Sequence, residues 1–200
     1  MTFKHLPPST PTPGAQFEFD ANVNSATIDE YLGNPDVVYY DTRPLVDTFE
    51  VEPFGFRKEI EFTIEGFRVV PYCLIGTVPD IGIEGRYTGP ALFNVEWDTN
   101  FQIVSAKPVY EESHLVLDDL FPRDKPLVMG CGGGGYAYMT KKLLAYFGWD
   151  ESLLYNMGAI ATYPGTRRID ILETKGDTEM WATWRLDAPQ IDLSRMTPVS

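Results

Sequence analysis

Pro126-Leu127-Val128-Met129-Gly130-Cys131-Gly132-Gly133-Gly134-Gly135-Tyr136-Ala137 is the stretch whose reading decides the fold. Residues 126–129 form a short apolar run, as a buried strand does. The glycines that follow let the backbone curl into a tight loop whose N–H groups converge, because glycine takes φ > 0 without steric penalty. Residues 137–147 then turn helical: Met139, Leu143, Leu144 and Phe147 give an apolar face, Lys141 and Lys142 fall elsewhere, and Gly148 ends the run. Strand, loop and helix in direct succession aim the helix's unpaired N–H groups and positive dipole end at the loop. Cys131 stands at the mouth of that loop, where a thiol is placed for a lowered pKa and nucleophilic work.

Working outward, residues 152–156 read as the next strand, closing with Met157-Gly158-Ala159. Residues 36–41 read as an earlier one that delivers Asp41 to a loop at its carboxyl end. Residues 110–120 suggest a helix stopped before Pro122, and residues 25–32 a short helix with Ser25 as N-cap and Gly33 as stop. Residues 57–64 alternate, with Ile60, Phe62 and Ile64 on one side. Together with the turn Glu65-Gly66 and the run 67–74 they predict a hairpin. A second hairpin is predicted where residues 168–173 and 179–186 flank Lys175-Gly176-Asp177. Residues 76–108 are rich in Gly, Pro and Asp and carry no assignment. The chain divides into a Pro-rich extended leader (1–15), one domain (16–165) and a hairpin extension packed on it (166–200). The class is α/β, with a mainly parallel sheet, helices on both faces and added hairpins; such sheets carry their sites at the carboxyl ends of the strands.

Two hundred residues, 44% of them hydrophobic, suffice for one core. A net charge of −13 repels nucleic acid and anionic lipid, so neither is an expected partner and any anion site must be built locally. The two cysteines cannot make a disulfide framework, and the isolated His5 and His114 cannot supply a metal site, so neither metal nor cofactor is expected. No window approaches a membrane span, and the first five residues lack a signal core. The expected location is the cytoplasm. A cell-envelope or exported location stays open if Pro7–Pro13 is a tether behind a removed signal or anchor.

Cys131 through Tyr136 resembles the six-residue loop of rhodanese-like sulfurtransferases, which opens with the catalytic cysteine between a parallel strand and a helix. Gly134 stands at a loop position where glycine is common in that family, and Ala137 suits the small residue that opens its helix. Upstream, Val37-Val38-Tyr39-Tyr40-Asp41-Thr42-Arg43-Pro44 is similar to the family's strand ending in Asp-x-Arg. Downstream, Leu154-Tyr155-Asn156-Met157-Gly158-Ala159 resembles its last strand and the turn after it. The likeness implies a five-stranded sheet and a persulfide on Cys131. That persulfide would be loaded by a small sulfur donor and unloaded by a thiol or other thiophilic acceptor. The backbone N–H groups of Gly132, Gly133, Gly134, Gly135, Tyr136 and Ala137 would hold the anionic sulfur, supported by Asp41 and Arg43. The chain departs from the family in three places. Its loop has no Arg or Lys, Asp47 stands where some members have a second Arg, and the family's Gly-His-x-x-Gly-Ala element has only Gly66-Phe67-Arg68 in its place.

Other readings of the same letters are a rhodanese-like binding or regulatory module without catalysis, and a dinucleotide-binding turn. The latter takes Gly130, Gly132 and Gly135 as G-x-G-x-x-G with Asp150 as its acid. Too few residues follow to complete a dinucleotide-binding half. A Walker loop lacks its Gly-Lys-Ser/Thr, and a Cys-x5-Arg phosphatase loop finds Ala137 where arginine belongs. Asp41 and Arg43 are expected to orient loops, Cys73 to be a core residue, His114 to be a solvated or capping residue, and Trp181 and Trp184 to anchor packing. Arg86, Arg167 and Arg168 are the candidates for the missing cations.

Overall fold

The computed structural model describes residues 3–44, 60–79 and 87–200. A strand with apolar side chains pointing both ways needs cover on both faces, and the strand before the glycines has it. Its neighbours form a four-stranded, all-parallel sheet. Strand β1 (Val38–Asp41) lies between β3 (Phe67–Val69) and β6 (Leu127–Cys131), and β6 lies between β1 and β7 (Leu154–Ala159). Strand β2 (Phe62–Ile64) pairs antiparallel with β8 (Arg168–Asp170). Strands β4 (Phe93–Trp97) and β5 (Ile103–Pro108) form one hairpin, β9 (Leu172–Lys175) and β10 (Thr178–Trp181) another. The helices are a single turn, α1 (Tyr72–Ile75), then α2 (Ser113–Leu120) and α3 (Gly135–Tyr146).

Alternation along the strands sorts the core into two layers. Tyr40, Leu127, Met129, Cys131 and Leu154 join the core built with the three helices and the β4–β5 hairpin. Tyr39, Val128 and Tyr155 face the other way, toward Val23, Ile28, Tyr31 and Leu32. A third, smaller cluster of Ile60, Val69 and Ile171 takes Trp181 and Leu186 from the carboxyl-terminal segment.

Several expectations are revised. Among the described residues the parallel sheet has four strands rather than five. Its second face is covered not by a helix but by irregular chain with 3-10 turns at Ile28–Glu30 and Ile160–Thr162. The predicted helix 25–32 is reduced to the 3-10 turn Ile28–Glu30, entered through Asn24 rather than capped by Ser25. The Asn24 carbonyl accepts from the N–H of Thr27 and Ile28, its side-chain oxygen accepts from that of Ala26, and the N–H of Ser25 donates across to the Met157 carbonyl. Of the predicted hairpin 57–74, residues 57–59 lie outside the described residues. The rest forms a turn at Gly66 (φ +84), yet β2 and β3 part company, one pairing with β8 and the other with β1. Period-2 alternation names a strand but not its partner. Residues 93–108, left unassigned, form the β4–β5 hairpin. The terminal hairpin is present in shortened form around Gly176.

Residues 3–10 carry no helix or strand and are laid along the domain. The Ser9 N–H donates to the Ser152 carbonyl, Ser9 Oγ to that of Leu154, and Tyr155 Oη to that of Pro7 (2.6 Å). Asp20 holds their far end by accepting from the N–H groups of Thr10, Asn22 and Val23.

Candidate active site

The carboxyl ends of β1, β6 and β7 bring Asp41, Cys131 and Ala159 side by side, in register Asp41 to Gly130 and Cys131 to Ala159. Strand β6 runs through the cysteine itself, and α3 begins at Gly135, two residues earlier than the periodicity predicted. The loop proper is therefore Gly132 to Gly134, and Gly135 and Tyr136 form the first helical turn. Gly134, at φ +90, is the residue that turns the chain into the helix.

Cys131 Sγ accepts the Gly134 N–H at 2.9 Å, and the N–H groups of Gly133, Tyr136 and Ala137 also bear on it. The cysteine is 1% exposed. Burial pushes the thiol above its ordinary range and outweighs the four N–H groups, which pull it down. This corrects the expectation of a lowered pKa: the N–H cradle is present, but the site is closed around it.

Asp41, wholly buried, accepts from Arg43 Nε (2.9 Å), Arg43 Nη2 (2.6 Å), the Arg43 N–H and Thr63 Oγ1. Arg43 Nη2 also donates to the Phe62 carbonyl. The pair ties β1 to β2, the orienting role the sequence suggested. The Arg43 stem also lies against the loop, its Cδ 4.0 Å from where a β-carbon on Gly132 would stand. Tyr136 stacks on Tyr72 of α1 at 6.2 Å.

Four residues absent from the expected site prove central to it. Asn156, fully buried on β7, donates from Nδ2 to the carbonyls of Phe17 (2.7 Å) and Gly134 (3.1 Å) and accepts the Gly158 N–H at Oδ1. Phe19 lies on Gly134 and Gly158, and Phe17 beside Gly135. Glu18 reaches Lys142 Nζ (2.7 Å) and Lys141 Nζ (3.5 Å) on α3. Lys141, off the apolar face in the helical periodicity, is buried. A lone amide inside the apolar run of β7 was the one sequence signal for this cluster, since a buried polar side chain requires partners.

No family model, no curated protein and no solved structure matches this chain. The rhodanese likeness accordingly rests on the residues quoted for it. Asp150, the acid of the dinucleotide reading, caps the turn before β7 by accepting the Ser152 N–H. It therefore lies at the amino end of the sheet, opposite the glycine loop. That end also carries a cavity of ≈ 220 Å³ lined by His5, Asn34, Asp36, Ser152 and Tyr155 among others.

Of the remaining candidates, Cys73 is a buried core residue of α1, and no disulfide joins it to Cys131. His114 packs edge-on against Phe93 and Phe147. Arg167 pairs with Glu65 at 3.0 Å, Arg168 stacks over Phe62, and Arg68 of the edge strand β3 pairs with Asp187 at 3.6 Å. Arg86 and Asp47 lie outside the described residues. Trp181 packs as expected, whereas Trp184 is 70% exposed and anchors nothing. No described helix is long and apolar enough to cross a membrane.

Proposed function

We propose that this chain is a rhodanese-like sulfurtransferase working through Cys131. The observation that carries the reading is the convergence of four backbone N–H groups on Cys131 Sγ at the carboxyl end of a central parallel strand. The adjacency of β1, β6 and β7, the three segments of the likeness, supports it too. In the first step Cys131 gives up its proton to water, and the thiolate attacks the outer sulfur of thiosulfate or the single sulfur of mercaptopyruvate. The new S–S bond forms as the donor's bond to that sulfur breaks, and the leaving group (sulfite, or the enolate of pyruvate) takes the bonding pair. The persulfide's terminal sulfur is anionic, and N–H groups aimed at it stabilise that charge without a cationic side chain. A thiol or cyanide then attacks the terminal sulfur and returns Cys131 as thiolate. A working thiol of this kind suits a reducing compartment such as the cytoplasm.

The second reading is a module of the same fold that binds a partner without catalysis, favoured by the 1% exposure of Cys131. Turnover separates the two. Transfer of sulfane sulfur from either donor to cyanide or a thiol, lost in Cys131→Ser, is expected of the enzyme; a wild-type chain as inert as Cys131→Ser is the module.

A further inference from the structure

The helix end of the loop, at Gly134 and Gly135, is covered by a part of the chain more than a hundred residues away, and that cover is held in an unusual way. Phe17 and Glu18 adopt φ of +61 and +51, left-handed backbone that side-chain-bearing residues rarely take and that persists only where surrounding contacts enforce it. The enforcing contacts reach the loop, its helix α3, strand β7 and Phe101. Glu18 binds Lys142 and Lys141 of α3, and Asn156 Nδ2 bridges the Phe17 and Gly134 carbonyls. The Phe19 ring fills the space that glycine leaves at 134 and 158. A Phe17 ring packed against Phe101 and Tyr138 completes the seat.

We infer that residues 16–20 are an autoinhibitory strap, closed over the Cys131 loop by the Glu18–Lys142 pair and opened for the thiol to work. The inference rests on Cys131 being the working residue, as proposed above. In the closed form the cysteine is 1% exposed. The left-handed backbone at Phe17 and Glu18 gives the strap a local reason to leave once its contacts are weakened. Its ion pair is the natural control point. Glu18 is about a third exposed, so a competing charge reaches it without unfolding the domain.

The test is the rate at which N-ethylmaleimide modifies each cysteine of the full chain, followed by peptide mass spectrometry in wild type, Glu18→Gln and Phe19→Ala. Cys73 is the internal control, being 4% exposed and remote in sequence from the strap. Cys131 is expected to react about tenfold faster in Glu18→Gln, the change in local opening that follows loss of one charge-assisted hydrogen bond, with Cys73 unchanged. Phe19→Ala is expected to act in the same direction. Unchanged Cys131 rates in Glu18→Gln overturn the strap, as does equal acceleration of both cysteines, which would report general loosening. Because alkylation needs no sulfur donor, the two proposals fail separately. Accelerated alkylation in a chain that never transfers sulfur keeps the strap and removes the enzyme; sulfur transfer with unaltered alkylation does the reverse.

Discussion

A β-carbon on Gly134 would stand 2.1 Å from Phe19 Cε1, and one on Gly130 2.9 Å from Ile160 Cγ1. On Gly133 it would meet nothing within 4 Å, and on Gly132 only Arg43 Cδ at 4.0 Å. The flanks and the middle of one glycine run thus answer to different demands. At the flanks glycine is required by close packing and, at Gly134, by φ +90 as well. In the middle it leaves the backbone N–H groups unshielded beside the sulfur. A run of glycines invites the idea of a floppy loop, but this one is pinned at both ends and open only between them.

The largest effect should come from Gly134→Ala, which must move Phe19 and strain the turn together. A loss of about 3 kcal/mol or more is expected by urea unfolding. Adding Phe19→Ala should recover part of it; strict additivity of the two changes would break the contrast. Gly130→Ala meets side-chain atoms of Ile160 and Met157 first, and about 1–3 kcal/mol is expected. Gly133→Ala should lie within about 0.5 kcal/mol of wild type in stability. A large loss there would show that the middle is constrained too.

The cradle itself is tested by pH. Burial raises the Cys131 thiol, so its alkylation should reach half of its plateau rate above about pH 8.5, the pH at which an ordinary thiol is half ionised. Sulfane-sulfur loading should follow the same curve. In linkage terms the folded thiol holds its proton more tightly than the unfolded one. This contribution to stability is present below the unfolded value and is lost as pH rises through the folded one. A profile that levels off near neutral pH would mean that the N–H groups prevail over burial.

What could be read from the sequence followed the range of the interactions. Strand β6, the glycines and α3 are contiguous, so their apolar periods and the Gly148 stop described them locally. Residues 93–97 carry a local signal too, Phe93, Val95 and Trp97 alternating before an Asp98-Thr99-Asn100 turn, but surrounding glycines and prolines mask it. The pairing of β2 with β8 joins segments about a hundred residues apart, and no alternation announces that. The strap is the extreme case. Phe17, Glu18 and Phe19 stand just past the leader with no periodicity that marks them, until Gly134, Lys142 and Asn156 are brought beneath them. The N–H cradle was legible from glycine and helix alone, whereas the thiol's closed state was not. The burial that raises the thiol comes from packing that the local sequence does not announce.

The central claim is that Cys131 carries sulfur, and intact-mass spectrometry after incubation with thiosulfate and with mercaptopyruvate tests it most directly. Wild-type protein should gain the mass of one sulfur atom from at least one donor, mapped by peptide analysis to Cys131, reversed by cyanide and missing in Cys131→Ser. A Glu18→Gln chain with an accessible Cys131 that still gains no sulfur from either donor would contradict it.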